Sequence, residues 1–276
     1  ITDDKHYKDI ANSIRSKMQT DREYYPEDMA VAIDNIPSSA DGTDNPVIGI
    51  YYTNPDNNGN PTKVKISGWV NPTGGFISAF TSSNVKLFIK QVEFLNCNFV
   101  TLTGGLFNGC SALTTVNLPS SLTSMDNDAF RNCTSLTTIN LPDSLTSIGF
   151  STFQDCSSLK TINLPSSVIS IGQYAFRHCQ SLETINLPSS VTSIEYYTFF
   201  ESSSLKYVTL GDKFNCNNLN LSVSTKYTRE TILQWLNAIA DRTGQTAYKL
   251  TIGATNLAKL TEQDILIATN KNWTLS

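Results

Sequence analysis

The chain has 276 residues and a formal net charge of −4, long enough for two or three small units. A nucleic-acid partner is not expected, because neutralising a phosphate backbone takes a basic stripe that this sequence lacks. No apolar run approaches the roughly 18 residues of a membrane helix and no signal peptide is visible, so membrane insertion within these residues is not expected either. The chain begins at Ile1 rather than methionine, which reads as processing or truncation and leaves an export signal upstream an open matter.

Residues 1–37 read as a helical hairpin. Tyr7, Ile10, Ala11, Ile14 and Met18 recur at helical spacing behind Asp3 and Asp4, which suit a helix N-terminus. A second helix opens at Pro26 and carries Met29, Ile33 and Ile36 on one side before Pro37 ends it. This stripe reads as packing surface rather than a ligand site. Residues 38–46 have linker composition. Residues 47–84 form a β-hairpin cap, in which Val47 to Thr53 and Val64 to Val70 flank the turn-rich Asn54 to Pro61.

From 85 to 221 the chain repeats. Phe107, Phe130, Phe153, Phe176 and Phe199 fall 23 residues apart, and Cys110, Cys133, Cys156 and Cys179 keep the same step. A fixed period of about 20 to 30 residues means a solenoid. Within one unit Val116 and Leu118 alternate with Thr115 and Asn117, so a short strand points the first pair inward and the second outward. Pro119 has no N–H for a ladder and stops it. Leu122 and Met125 then supply a second apolar side, and Ala129 with Phe130 closes the circuit. Fixing the backbone costs about 1 to 2 kcal/mol per residue, against about 1.5 to 3 kcal/mol per buried side chain. No coil folds alone, and stacking supplies the rest.

Residues 222–276 read as a C-terminal cap with α and β elements. Thr228 caps a helix to about Ala240, Tyr248 to Ile252 form a strand, and Thr261 with Asp264 suggests a capping box for a last helix. Such a cap covers the sheet edge that a last coil would otherwise expose.

The circuit of Cys, Leu, Ile, Leu-Pro, Leu, Ile-Gly and Ala-Phe, completed by Ile148-Gly149 and Ile171-Gly172, resembles the BspA-like (Treponema pallidum-type) leucine-rich repeat. The match is specific from Phe107 to Leu210 and looser back to about Val85. The expected fold class is α+β: a leucine-rich repeat solenoid of about five to six 23-residue coils with a parallel β-sheet, an N-terminal helical hairpin and an α/β C-terminal cap. The resemblance implies a bacterial protein, extracellular or on the cell surface. It further implies a non-enzymatic, adhesin-like scaffold that binds a host or microbial surface protein or glycan. Tyr7, Ile10-Ala11, Ile14-Arg15 and Tyr25-Pro26 are also similar to short helical modules of phage-tail-associated proteins, so a tail or assembly component is the alternative.

The residues offer little chemistry. The four periodic cysteines read as buried unpaired thiols, with a disulfide or a metal as the alternative, and zinc would normally need close Cys-x-x-Cys pairs that do not occur. Cys97 and Cys216, in the frayed ends of the array, are the candidates for reactivity. If Cys179 faces the core then His178 faces solvent, which separates a nucleophile from its base. Asp126, Asp128, Asp143 and Asp155 share no register and read as solvated surface. No catalytic residue, cofactor or metal is expected. Surfaces remain. The outward Thr115, Thr138, Thr161 and Thr184 row and the Asn117, Asn140, Asn163 and Asn186 row suit a sheet structurally. Phe150, Tyr174, Tyr196 and Tyr197, aligned just after the Ile-Gly step, break the monotony, with Arg177, His178 and Phe200 nearby. Phe150, Tyr174, Tyr196, Tyr197, Arg177 and His178 are the candidate binding residues. Packing between neighbouring loops is the competing reading.

Overall fold

A computed structural model describes residues 49–55, 61–67, 84–95 and 97–276. The helical hairpin expected at 1–37 and the linker at 38–46 lie outside the described residues. Strands β1 (Gly49–Pro55) and β2 (Pro61–Ser67) pair antiparallel, with Gly49 opposite Ser67. The second strand opens at Pro61 rather than Val64, a position proline tolerates because it starts the strand. β2 then runs parallel to β3 (Gln91–Leu95), placing Val64 beside Val92 and Ile66 beside Phe94, all buried.

Past β3 the chain alternates between two rows of short strands. In order these are β4 (Thr101–Leu102), β5 (Thr115–Asn117), β6 (Ser124–Met125), β7 (Thr138–Ile139), β8 (Ser147–Ile148), β9 (Thr161–Asn163), β10 (Ser170–Ile171), β11 (Thr184–Leu187), β12 (Ser193–Ile194) and β13 (Tyr207–Leu210). The odd strands form one side of the solenoid: β5 joins the β1-β2-β3 sheet, and β7, β9, β11 and β13 form a second. The even strands β4 to β12 form a single parallel sheet on the next side. From β4 and β7 onward the pairings keep the 23-residue register, Ile139 beside Ile162 and Met125 beside Ile148, while β3 and β5 are offset by one residue more, Val92 beside Val116. Outward and buried residues alternate, as in the exposed Thr115, buried Val116 and exposed Asn117 trio.

Side-chain ladders fasten the coils. Consecutive rings from Phe107 to Phe199 stack at 5.1, 5.4, 5.5 and 5.7 Å. Beside them each thiol donates to the phenylalanine carbonyl of the preceding coil: Cys133 to Phe107 at 3.2 Å, Cys156 to Phe130 and Cys179 to Phe153 at 3.1 Å. Ser202 does the same to Phe176 at 2.6 Å, which explains how serine replaces cysteine in the last unit. A second polar spine was not anticipated from the sequence. Ser121, Ser144, Ser167 and Ser190 donate to Phe99, Leu122, Leu145 and Val168 carbonyls at 2.6 to 2.8 Å. It satisfies carbonyls at the corner after each proline, where no strand can.

The thiols are chemically quiet. Cys110, Cys133, Cys156, Cys179 and Cys216 are free and buried. Burial pushes Cys110 and Cys156 up to about 12 and Cys216 up to about 11. Cys216 is therefore not the reactive candidate its place in the frayed end suggested, because the C-terminal cap closes over it and leaves it 0% exposed. Cys97 is half-buried, its Sγ 3.4 Å from the Ile66 carbonyl. We expect iodoacetamide at pH 8 to leave these five thiols unmodified in the native protein and to alkylate all of them in guanidinium. Stoichiometric native labelling of Cys133 or Cys156, read by peptide mass spectrometry, would contradict this packing.

The C-terminal cap is also built from parallel strands. β14 (Leu219–Asn220), β15 (Tyr248–Thr251) and β16 (Trp273–Leu275) make one sheet, with Leu219 beside Leu250 and Tyr248 beside Trp273. Helix α1 (Arg229–Ala238) crosses from the first strand to the second, and α2 (Ala254–Leu257) with α3 (Glu262–Asn270) from the second to the third. Thr228 caps α1 by accepting from the Thr231 N–H, and Thr261 and Asp264 form a reciprocal capping box on α3. Trp235 donates to the Val208 carbonyl at 2.6 Å, joining the cap to the last strand of the solenoid. Lys271 reaches the Leu236, Asn237 and Ile239 carbonyls at 2.7 to 3.0 Å, neutralising the C-terminus of α1.

Arg229 grips Asp264 with two hydrogen bonds, of 2.8 and 2.6 Å, and so ties the start of α1 to the start of α3. The guanidinium, with the Thr261 N–H, holds the Asp264 carboxyl down to about 2. A depressed carboxyl stabilises the fold above its unfolded value, near 4, and that contribution disappears as pH falls through the folded value. The melting-temperature gap between wild type and Asp264→Asn should accordingly be constant above about pH 5 and close between about pH 4 and 2. A gap independent of pH would remove Asp264 as its source. Among the described residues no helix is long and apolar enough to cross a membrane.

Candidate functional site

The loops between the second strand of one coil and the phenylalanine stack carry the candidate residues, and their backbone is unusual. Two positions in every coil adopt a left-handed conformation. The first row is Gly105, Asp128, Ser151, Tyr174 and Tyr197, with φ from 53° to 68°, and the second is Gly109, Asn132, Asp155, His178 and Glu201, with φ from 56° to 80°. The first coil uses glycine at both positions, which costs nothing sterically, and the next uses Asp and Asn, which tolerate it. The last two coils place Tyr174, His178, Tyr197 and Glu201 there instead, at about 1 to 2 kcal/mol per residue. Backbone strain of this kind concentrates at functional sites.

Those tyrosines form a continuous strip. Phe150 meets Tyr174 edge-on at 5.6 Å, Tyr174 stacks on Tyr197 at 5.6 Å with 10° between planes, and Tyr197 meets Phe200 edge-on at 5.6 Å. Arg177 lies across the strip, 5.2 Å from the Tyr174 ring centre and 5.6 Å from that of Phe200. Packing between loops and exposure thus hold together: Tyr197 stays 58% exposed while stacked on Tyr174. Tyr196 stands apart, 71% exposed and without ring contact among the described residues. Phe200 belongs to the strip and was absent from the candidate set. Its one-period offset from Arg177 was the available signal.

His178 does not face solvent as expected. Its ring is half-buried between two carboxylates, with Nδ1 2.8 Å from Asp155 Oδ1 and Nε2 2.7 Å from Glu201 Oε2, the latter poorly aligned for a hydrogen bond. Asp155, His178 and Glu201 occupy one left-handed row, so the imidazole is a strut between coils. Cys179 points into the core, bonded to the Phe153 carbonyl, and burial pushes its thiol well above the usual range. The pair therefore has neither the geometry nor the ionisation of a nucleophile and its base. The outward strand face is also structural in part. Asn186, instead of stacking on its neighbours, bonds back to the Leu164 N–H and carbonyl at 2.6 and 2.8 Å.

At its C-terminal end the strip borders an open groove of about 580 Å³. Tyr196, Tyr197 and Phe200 line one wall, and Asn217, Asn220 and Lys249 of the cap line the other.

Stacked 23-residue coils with these inward ladders are matched in sequence as well. Residues 100–223 match the family of the BspA type leucine rich repeat region, in six copies. This segment is a BspA-type leucine-rich repeat solenoid. Among solved structures the chain is similar to a T. pallidum leucine rich repeat protein, at 20% identity and a TM-score of 0.45 over 82% of this chain and 95% of that one. It is also similar to a leucine-rich repeat protein from Eubacterium ventriosum, at 20% identity and a TM-score of 0.45 over 70% of this chain and 50% of that one. A leucine rich cell surface protein from Faecalibacterium prausnitzii aligns at 19% identity and a TM-score of 0.31, over 68% of this chain and 60% of that one. No curated protein matches the chain. In BspA-type terms the Phe, Cys and Leu-Pro positions are scaffold, and the aromatic strip lies on the loops between them.

Proposed function

We infer that this chain is a non-enzymatic binding scaffold, displayed on a bacterial surface or secreted, which holds a host or microbial surface protein or glycan in the manner of an adhesin. The BspA-type repeat supports the setting, and the exposed strip from Phe150 to Phe200 carries the binding reading. Tyrosine offers a large amphipathic contact area at a small entropy cost, and stacking fixes these rings before a ligand arrives. Arg177 adds a cation beside them, the residue mix of interface hot spots. Holding Tyr174 and Tyr197 in a left-handed backbone is a cost that glycine would spare, and recognition gives those side chains a reason to be there.

An array of extracellular-matrix proteins and glycans should yield a saturable ligand. Changing Tyr174, Tyr196 and Tyr197 together to alanine should weaken it at least about tenfold, or about 1.4 kcal/mol. Changing the outward Thr115 and Thr138 should leave it intact. Full binding by the triple variant would exclude the strip as the site.

A further inference from the structure

The groove beside Tyr197 exists because the solenoid is interrupted there. In each earlier coil the backbone after the second strand donates to the coil that follows. Phe107, Phe130, Phe153 and Phe176 N–H bond to the Ala129, Thr152, Ala175 and Thr198 carbonyls, each at 2.8 Å. Gly109, Asn132, Asp155 and His178 N–H bond likewise to Arg131, Gln154, Arg177 and Phe200 at 2.8 to 2.9 Å. One period on, the N–H groups of Phe199 and Glu201 find no acceptor among the described residues. The carbonyl row of the even strands ends the same way. Ile169 and Ile171 accept from Thr192 and Glu195, but the corresponding Thr192 and Ile194 carbonyls receive no backbone N–H among the described residues.

The half-coil that would complete these rows spans residues 215–224, one period after 192–201. The first half of its coil is regular, since β13 pairs with β11 and Gly211 donates to Leu187 at 2.8 Å. Then the chain turns away. β14 joins β15 of the cap instead of β12, leaving β12 as the edge of its sheet. Helix α1 demands this, because its crossover inserts more chain than a 23-residue circuit holds and draws β14 towards β15. What remains is a slot with two acceptors, Thr192 and Ile194, followed by two donors, Phe199 and Glu201. Its floor and walls include Ile194, Tyr197, Phe200 and Val223.

We propose that this slot binds an extended peptide segment of about ten residues, which lies along β12 and takes the place of the missing half-coil. Backbone polar groups are the strongest unmet demand on this edge, and only a chain carrying alternating N–H and carbonyl groups satisfies both rows at once. Such an occupant continues the coil-to-coil interface already repeated along the solenoid, with its own N–H groups on Thr192 and Ile194 and its carbonyls on Phe199 and Glu201. A glycan presents no such register. The inference rests on the binding role proposed for this end of the molecule and names the chemistry of the partner.

The test selects binders from a phage-displayed library of linear dodecapeptides on the full chain, then titrates synthetic winners into labelled protein while following amide hydrogen exchange. In the free protein the Phe199 and Glu201 amides should exchange at least tenfold faster than those of Phe176 and His178, and saturating peptide should slow them to match. Lys249→Trp and Ser203→Trp, which crowd the slot from exposed wall positions, should weaken the peptide at least tenfold, whereas Thr115→Ala with Thr138→Ala, on the outward strand face, should not. Three outcomes overturn the proposal: no peptide selected, selected peptides that leave those two amides unchanged, or amides already protected in the free protein because its own residues fill the slot. None of these touches the strip reading, which stands or falls on the tyrosine variants and the array.

Discussion

Phe153→Ala should lose about 3 to 5 kcal/mol of stability. Phe153 is fully buried and sits between Phe130 at 5.4 Å and Phe176 at 5.5 Å in near-parallel stacks. Its removal leaves a cavity that backbone ladders on both sides prevent from collapsing, and forfeits two ring contacts worth about 0.5 to 1.5 kcal/mol each. Because a solenoid is held together by nearest-neighbour interfaces, a defect in the middle also uncouples the two halves. Guanidinium unfolding followed by circular dichroism should show a lower midpoint and a broadened or split transition. Phe199→Ala, at the end of the stack with a single ring neighbour at 5.7 Å, should cost less and leave one transition. A sharp wild-type-like curve for Phe153→Ala would show that the phenylalanine stack is not what couples the coils.

Gly172→Val should destabilise by about 2 to 3 kcal/mol for a different reason. A Cβ on Gly172 would lie 2.7 Å from the Gly149 carbonyl carbon and 2.8 Å from the Phe150 nitrogen. Both are backbone atoms that cannot rotate away, and the Gly172 N–H to Ile148 carbonyl bond at 2.8 Å holds the two coils at that distance. Glu195 carries a side chain at the next place in this row, and its bond to the Ile171 carbonyl is longer, at 3.0 Å, as the solenoid loosens towards its end. The valine must therefore pry the fourth coil from the third. Since Tyr174 follows two residues later, ligand affinity should fall together with the melting temperature, a pattern that surface substitution of Tyr174 alone would not give. A melting temperature within about 2 °C of wild type would show that the coils separate at little cost.

Much of the fold was legible because each inward position recurs and therefore sees the same environment in every coil. One phenylalanine read correctly fixes four others, and Ser202 in the cysteine row still finds the Phe176 carbonyl. Helix starts in the cap were legible through Thr228, Thr261 and Asp264, whose side chains act locally. Strand partners there were not, because β14, β15 and β16 abandon the period and their pairing depends on what α1 and α3 bury. Cys216 read as a candidate for reactivity for the same reason. The candidate strip was half legible: its aromatics stood out against the repeat, but nothing in a Tyr or a His announces a positive φ, and so His178 was set in solvent when its backbone turns it between Asp155 and Glu201.

Sequence alone determined the period, the inward set and the solenoid, since a short repeat that cannot bury its apolar residues unaided has to stack. Only the tertiary structure decided which aromatics touch, where the backbone is strained, and that the coil-to-coil hydrogen bonds stop short at Phe199 and Glu201. Those outcomes depend on how one coil meets the next and on where a non-repeating cap pulls the chain away. Periodicity carries the first kind of information to every unit, and it has none of the second.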